Sequence, residues 1–317
     1  MLYPLPEFVQ TQLAALTDSN QQHLKQASAE LSRRYRQAEA GQHLQHHAAV
    51  SAYLQLRLPA TYAVMCQVWE RLRTQAPDLT PRSLADLGAG PGTASLAAVQ
   101  RFASLNQLHL LETDARMRQA GQSIFAGGPA PLPAASWQAG RLPVADWPTT
   151  DLACLSYVLN ELPQQDWPQL FDKLASRHRL LVFVEPGTPQ GFEHLRQVRN
   201  VFLQTGWQVW APCPHQQACP ITAPDWCHFA QRLARSPLHR QLKGAVKGHE
   251  DEKFAYLILG QTPVPQAAEA RILRHPLHHK GHLRLQLCTP DGLQSAVRSK
   301  KDANWKQARQ LAWGDSL

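Results

Sequence analysis

The 317-residue chain contains no run approaching the roughly 20 apolar residues that a membrane-spanning helix needs, which points to a soluble protein. Its N-terminal stretch lacks a cationic segment followed by an apolar one, so no secretory signal is expected. The first Lys or Arg is Lys25, which speaks against an Arg-rich transit peptide, and a reducing cytoplasm is the compartment these absences suggest. Cysteine is scarce: six in a chain this long do not make a disulfide scaffold. No internal repeat is present. Charged residues make up 18% against 44% hydrophobic, enough apolar content to bury a sizeable core and to exclude a wholly disordered chain. Length alone suits one large domain with additions, or two domains.

Acids are scarce in one region. From Arg271 to Arg309, nine Lys or Arg face only two acids, Asp291 and Asp302, which places +7 of the chain's +8 formal charge there. A basic tail on a near-neutral body suits a polyanionic partner, since neutralising phosphates drives such binding. The alternative is a solvated terminus with no specific role.

Residues 1–80 read as helices. Leu24, Ala27, Leu31 and Tyr35 share one face, and Pro59 is expected to open a second helix carrying Tyr62, Met65, Cys66, Trp69 and Leu72. Between them lie His43, His46 and His47, with no carboxylate or thiolate nearby in sequence, which favours a polar surface over a metal site. From Ser83 onward, short apolar runs alternate with helical patterns. Ser83–Leu87, Gln107–Leu111, Asp151–Tyr157 and Arg179–Val184 read as buried strands, with Gln208–Trp210 and Phe254–Leu259 as further candidates. Helices are expected near Ala94–Phe102, Ala115–Gly121, Trp167–Arg177 and Phe192–Thr205. This alternation predicts an α/β fold, a doubly wound, mainly parallel sheet covered by helices, over residues 81–262. Residues 211–252, rich in Pro, Cys and His, read as an insertion, and 263–317 as a basic extension. There Leu283–Cys288 and Leu293–Val297 flank Thr289-Pro290-Asp291-Gly292, a hairpin signal.

The stretch Leu84-Ala85-Asp86-Leu87-Gly88-Ala89-Gly90-Pro91-Gly92-Thr93 runs from a strand into three alternate glycines and then a helix. Glycine allows the tight turn and lets a ligand approach the backbone. The form is neither the dinucleotide fingerprint nor a P-loop, and with no Lys in the loop a triphosphate is not expected. Glu112 ends the second strand about twenty residues on, placed to accept ribose hydroxyls. In this order the features resemble the class I (Rossmann-like) S-adenosylmethionine-dependent methyltransferases. The resemblance implies Asp86, Gly88, Gly90, Gly92 and Glu112 as cofactor-binding residues. Polar residues at the ends of later strands, Asn160, Glu161 and Glu185, are the catalytic candidates.

Cys66 and Cys154 sit in apolar patterns and read as core. Cys213, Cys219, Cys227 and Cys288 differ: three fall within a Pro-rich stretch, separated by five and seven residues, and the fourth follows sixty residues later. Thiolates gathered where a core is lacking point to a metal, either zinc or an iron–sulfur cluster, with His215 and His228 as possible substitutes. The run Cys213-Pro214-His215, Cys219-Pro220 and Asp225-Trp226-Cys227-His228-Phe229, after Glu185-Pro186-Gly187-Thr188-Pro189, is similar to the methyltransferase-like protein family of the mitochondrial small ribosomal subunit, which has bacterial members. Leu31-Ser32-Arg33-Arg34-Tyr35-Arg36, Arg57-Leu58-Pro59-Ala60-Thr61-Tyr62 and the Trp313-Gly314-Asp315 end extend the likeness.

That resemblance implies a [4Fe–4S] cluster on Cys213, Cys219, Cys227 and Cys288, and a role with small-subunit ribosomal RNA in assembly or translation. Lys300, Lys301, Lys306 and Arg309 would then meet phosphates and Trp305 a base. Neither a membrane nor DNA is expected as a partner. The alternative is an active rRNA methyltransferase carrying a structural zinc or iron–sulfur site. A radical S-adenosylmethionine enzyme is excluded, because its C-x3-C-x2-C spacing is missing.

Overall fold

The computed structural model describes residues 2–17, 20–37 and 47–317. His43 and His46 lie outside these residues, as do the side chains of Leu31 and Tyr35. In chain order the elements begin with α1 Glu7–Ala15, α2 Gln21–Gln37, α3 His47–Gln75, β1 Ser83–Leu87, α4 Thr93–Val99, β2 Gln107–Glu112 and α5 Ala115–Ala126. Next come β3 Ser136–Ala139, β4 Thr150–Ser156, α6 Trp167–Arg177, β5 His178–Pro186, α7 Pro189–Gln204 and β6 Gln208–Ala211. The chain ends with β7 Phe229–Ala234, α8 Pro237–Lys243, β8 His249–Gly260, β9 Arg271–Ile272, β10 Leu277–His279, β11 His282–Thr289, β12 Gly292–Ser299 and α9 Trp305–Ala308. These elements form two compact units. One comprises Met1–Glu70, Leu79–Arg179 and Gln231–Glu252, the other Arg71–Asp78, Leu180–Ala230 and Lys253–Leu317.

The first unit holds a parallel sheet in the order β3-β2-β1-β4. Four consecutive residues are buried in both β1 and β4, as expected for parallel strands covered on two faces. The α/β class read from the alternation is therefore the one observed, and α6 spans the very residues expected. Asp114 caps α5, its carboxylate accepting the N–H groups of Arg116 and Met117. Leu24 and Ala27 of α2 bury against Ala48, Ala52 and Leu56 of α3 and Leu242 of α8.

One expectation fails here: Pro59 does not open a helix but lies inside α3. An internal proline costs a backbone hydrogen bond. Leu54, Leu56 and Leu58 on one side, and Tyr62, Met65 and Trp69 on the other, are buried and carry the helix across it.

The second unit pairs Leu180–Pro186 of β5 antiparallel with Phe254–Gly260 of β8, whose other edge receives β6 with a register shift at Val209/Ala211. A separate small sheet runs β10-β11-β12, with β9 on β11. The hairpin read from the sequence is present: Thr289 pairs with Gly292, and Gly292 takes a positive φ of 106°. The stretch 211–252 is less irregular than expected, since β7, α8 and the start of β8 fall in it. Its irregular part is 212–228.

Candidate functional site

The glycine loop is built by its neighbours. Gly88, Gly90 and Gly92 all have positive φ, at 74°, 55° and 78°, a region that favours residues without Cβ. The amides of Gly88 and Ala89 donate to the Leu111 carbonyl, tying the loop to the end of β2. A Cβ on Gly88 would meet Val158 at 2.6 Å and one on Gly92 would meet Phe125 at 2.6 Å, so packing requires glycine at both. At Gly90 the nearest atom is the Tyr53 hydroxyl, 3.7 Å away. Of the three glycines, this one alone has a Cβ direction free of close contact.

Glu112 stands where the sequence predicts. Its Oε2 accepts the Gly90 N–H at 2.7 Å, and its Oε1 accepts the Asp114 N–H at 2.8 Å. The carboxylate is thus oriented by backbone, with Oε2 retaining acceptor capacity for a hydroxyl. Asp86 sits differently. It is buried, and its Oδ2 accepts from Ser95 N at 3.1 Å and Ser95 Oγ at 2.7 Å, pinning the first turn of α4 to the end of β1. Burial pushes its carboxyl up to about 7, against the pull of the Ser95 bonds.

Asn160 and Glu161 follow β4 in a short helical turn in the same unit. Glu161 keeps solvent access, yet the protein crowding around it and the charge of Glu112 push its carboxyl up to about 7. Glu185 is fully buried in β5 of the other unit. Two residues escaped the sequence reading. Tyr157 adopts a φ of 63°, left-handed backbone that is strained for a tyrosine, with the Arg57 guanidinium over its ring. Tyr53 lies on α3, far in sequence from the glycine loop. Only a known ligand pose could have flagged it.

In the second unit, Cys213, Cys219, Cys227 and Cys288 line one pocket with Ile221, Leu273 and three arginines, Arg196, Arg199 and Arg271. The pairing of Cys288 in β11 with Arg271 in β9 brings the distant cysteine there. His215 Nε2 lies 3.4 Å from Cys288 Sγ. Burial, then the proximity of Cys213 and Cys219, pushes the Cys288 thiol up to about 12. Burial likewise raises Cys219 and Cys227. Trp226 stacks on His228 and donates to the Gly187 carbonyl, while Arg274 pairs with Asp225, which orders the loop around Cys227.

Among the described residues, no group of three or more His, Cys, Asp or Glu side chains stands at metal-holding distance. The four thiols converge on a pocket without closing into a ligand cage. Their surroundings nonetheless suit an anionic metal–thiolate group. Arg199 is 3% exposed and Arg271 1%. Arg271 donates to the carbonyls of Pro212 and Gly314. Arg199 Nη2 donates to the carbonyls of His215 and Gln217, while its Nε and Nη1 are buried with no hydrogen-bond partner. Buried donors left unmade beside sulfur atoms fit a site whose occupant carries negative charge.

The basic residues are spread over the small sheet. Lys300 and Lys301 are exposed just beyond β12, and Lys306 and Arg309 are exposed on and after α9. Trp305 does not project as a free platform. It packs, half-buried, on the apolar layer of Leu283, Leu285, Leu287 and Ala308.

Residues 47–317 match the family described as mitochondrial small ribosomal subunit Rsm22. The human mitochondrial ribosome assembly protein METTL17 is 28% identical over 286 residues, a match covering 84% of this chain and 61% of that protein. Two mitochondrial Rsm22-cox11 tandem proteins of Schizosaccharomyces pombe are 24% identical over 84% of this chain and 42% of their own lengths. The chain thus spans less than two thirds of these relatives. Among solved structures, the magnesium protoporphyrin IX methyltransferase of Synechocystis with bound S-adenosylmethionine is similar at 14% identity and a TM-score of 0.43, over 73% of this chain and 90% of that one. A precorrin methyltransferase from Geobacter metallireducens is similar at 12% identity and a TM-score of 0.42, over 62% and 88%.

One expectation is corrected by these matches. The relatives are mitochondrial proteins, not cytoplasmic ones. The cytoplasmic reading rested on the residues at the start of this chain, and these say nothing of compartment in a chain spanning only part of its relatives.

Proposed function

The chain belongs to the Rsm22 family of the mitochondrial small ribosomal subunit, and on that premise we propose that it is a methyltransferase-like factor that binds S-adenosylmethionine and contacts ribosomal RNA of the small subunit during assembly or translation. The observation that carries the cofactor reading is the Gly90–Glu112 pair. A backbone-held carboxylate borders the one loop glycine whose Cβ direction is open. Gly88 and Gly92 hold the loop's shape, Glu112 would take the ribose, and Asp86 acts behind the loop by fixing α4. Equilibrium dialysis against labelled S-adenosylmethionine tests this. Saturable binding that Glu112→Gln weakens supports it, and no binding by folded protein refutes it.

Cys213, Cys219, Cys227 and Cys288 would hold a [4Fe–4S] cluster, or zinc in its place, with Arg199 offering N–H donors to the sulfur atoms. Such a group would tie the basic hairpin to segment 212–228, adding to the small apolar cluster of Ile221, Leu273 and Cys288 that already joins them. Iron and labile sulfide in anaerobically purified protein, with absorbance near about 400 nm, support the cluster. Stoichiometric zinc without iron transfers the site to zinc. Co-sedimentation with small ribosomal subunits tests the partner.

A second reading, active methyl transfer, is favoured by one observation. Glu161, with its carboxyl held near about 7 beside Glu112, is poised to take a proton from a weak nucleophile. Transfer of labelled methyl groups to immature subunits, lost in Glu161→Gln, supports that reading. Subunit binding without transfer leaves the factor reading alone.

A further inference from the structure

We propose that the outward face of the β10-β11-β12 sheet, continued onto its Gly281 end, is a binding surface for single-stranded RNA, distinct from the α9 side that carries Lys306 and Arg309. This rests on the RNA reading above and specifies where the strand lies.

The ladder registers assign the faces. Residues directly opposite one another share a face, and faces alternate along each strand. Leu283, Leu285 and Leu287 of β11 point inward, where they are buried with Ala270, Ile272 and Ala308, and Trp305 packs on them. The opposite face therefore carries Arg284 with its partners Leu277 in β10 and Val297 in β12, then Gln286 with Ser295, and His282 with its partners His279 and Ser299. At its far end Cys288, paired with Leu293, is covered by Ile221 and Leu273. Leu277 is 58% exposed and Val297 55%, so the row Leu277–Arg284–Val297 lays two uncovered aliphatic side chains on either side of a guanidinium. Beside that row the His279 and His282 rings stack, with centroids 4.7 Å apart and planes 12° from parallel.

Charge decides what this face suits. Lys280 is on the β10–β11 turn, and Lys300 donates its backbone N–H to the Gly281 carbonyl at 3.0 Å, so Lys280, Lys300 and Lys301 gather at one end of the sheet. Arg284 continues the positive line onto the face. Of the two acids in this segment, Asp291 is at the far hairpin tip, and the Asp302 carboxylate accepts the backbone N–H of Ser299 at 2.8 Å. No acid lies among the outward-facing positions of the three strands. Cations along one edge of an uncovered apolar and imidazole surface match a strand whose phosphates lie outside and whose bases lie flat on the protein. A duplex would hide its bases and leave Leu277 and Val297 in water.

Fluorescence anisotropy with a labelled single-stranded RNA of about 20 nucleotides, and with a duplex of the same sequence, tests this on the full chain. Three variant sets separate the surfaces: Leu277→Thr/His279→Ser/Val297→Thr on the face, Lys280→Gln/Lys300→Gln/Lys301→Gln at the end, and Lys306→Gln/Arg309→Gln on α9. The face set is expected to lose about tenfold in affinity for the single strand. The end set is expected to lower the salt dependence by about two. The α9 set should lose less affinity for the single strand than either of the other sets.

Binding unchanged in the face set but lost in the α9 set overturns the placement while leaving the RNA reading intact. The same holds if duplex binds as tightly as single strand and the face set binds both normally. If the unmodified, folded chain binds neither RNA, the RNA reading itself fails. Loss of subunit co-sedimentation by the face set would then make this surface a protein contact. Should the triple variant fold poorly by circular dichroism, the exposed single substitutions His279→Ser and Arg284→Gln carry the same comparison.

Discussion

The two candidate sites solve the problem of buried polarity in opposite ways. Around the glycine loop the protein supplies its own partners: Ser95 answers Asp86, and the backbone of Gly90 and Asp114 answers Glu112. Around the four cysteines it does not. Arg199 keeps two buried donors unmade, and three of the thiols are raised by burial and by one another. The two carboxylates of the first site are held by the protein's own groups, whereas the second would be completed by the metal or cluster proposed for it. A pre-formed site needs small rearrangement to bind, whereas a metal-completed one makes binding part of folding.

The largest expected effect breaks that contrast directly. Cys288→Ser should abolish bound iron or zinc and, with it, several kcal/mol of stability, on the order of 4 or more, read as loss of hydrogen-exchange protection in β9–β12. Gly92→Ala should leave the metal content intact. If Cys288→Ser keeps both metal and protection, the second site is as self-sufficient as the first and the comparison collapses.

Asp86 sharpens the other side. Its folded carboxyl is raised from 3.8 to about 7, so the native state holds the proton more tightly than the unfolded chain. That stabilisation is complete below about pH 4 and is lost as pH rises through about 7. Asp86→Asn, which cannot ionise and can still accept from Ser95, should therefore gain on the unmodified chain between pH 5 and pH 8 by a few kcal/mol. Urea midpoints at the two pH values measure it. A difference that does not change with pH would show that Asp86 is ionised without cost.

Why one site was readable in the sequence and the other only in part follows from the same contrast. The glycine site lies on consecutive elements, from Asp86 to Glu112, so strand, turn, helix and acid appear in order and local periodicity finds them. The main strands emerged with ends shifted by one or a few residues. β3 did not, because a four-residue strand with three exposed positions carries little alternation. β7 and α8 were hidden by the proline- and cysteine-rich composition before them. Cysteine spacing announced the four thiols but not Arg199, whose position on α7 reads as an ordinary helix residue until tertiary packing turns it under the loop of His215 and Gln217. Trp305 was expected to meet a base because it lies among Lys300, Lys301, Lys306 and Arg309 in a tail read as RNA-binding. Tertiary packing turns it onto Leu283, Leu285 and Leu287, while the strand register turns Leu277 and Val297 out.

A smaller effect is expected at Gly92. A Cβ there would sit 2.6 Å from the Phe125 ring and 2.9 Å from Leu110, at a φ of 78°. Gly92→Ala should cost about 2 kcal/mol in thermal stability, with cofactor binding reduced only as far as the loop is displaced.

Gly90→Ala is the finest test, because it separates shape from ligand. Its φ of 55° lies in the left-handed region, so alanine should cost about 1 kcal/mol of stability. Packing adds little, since the Tyr53 hydroxyl, at 3.7 Å, is the nearest atom. A methyl group there nevertheless projects into the space beside the Glu112 carboxylate that the cofactor would use. The variant should therefore fold and keep its metal yet lose S-adenosylmethionine affinity by about tenfold or more, a far larger loss than its small stability cost explains. Isothermal titration beside a thermal melt reads both quantities on one sample. Equal losses in Gly90→Ala and Gly92→Ala would mean that the three glycines serve only the turn, and the open direction at Gly90 would then point at solvent rather than at a ligand.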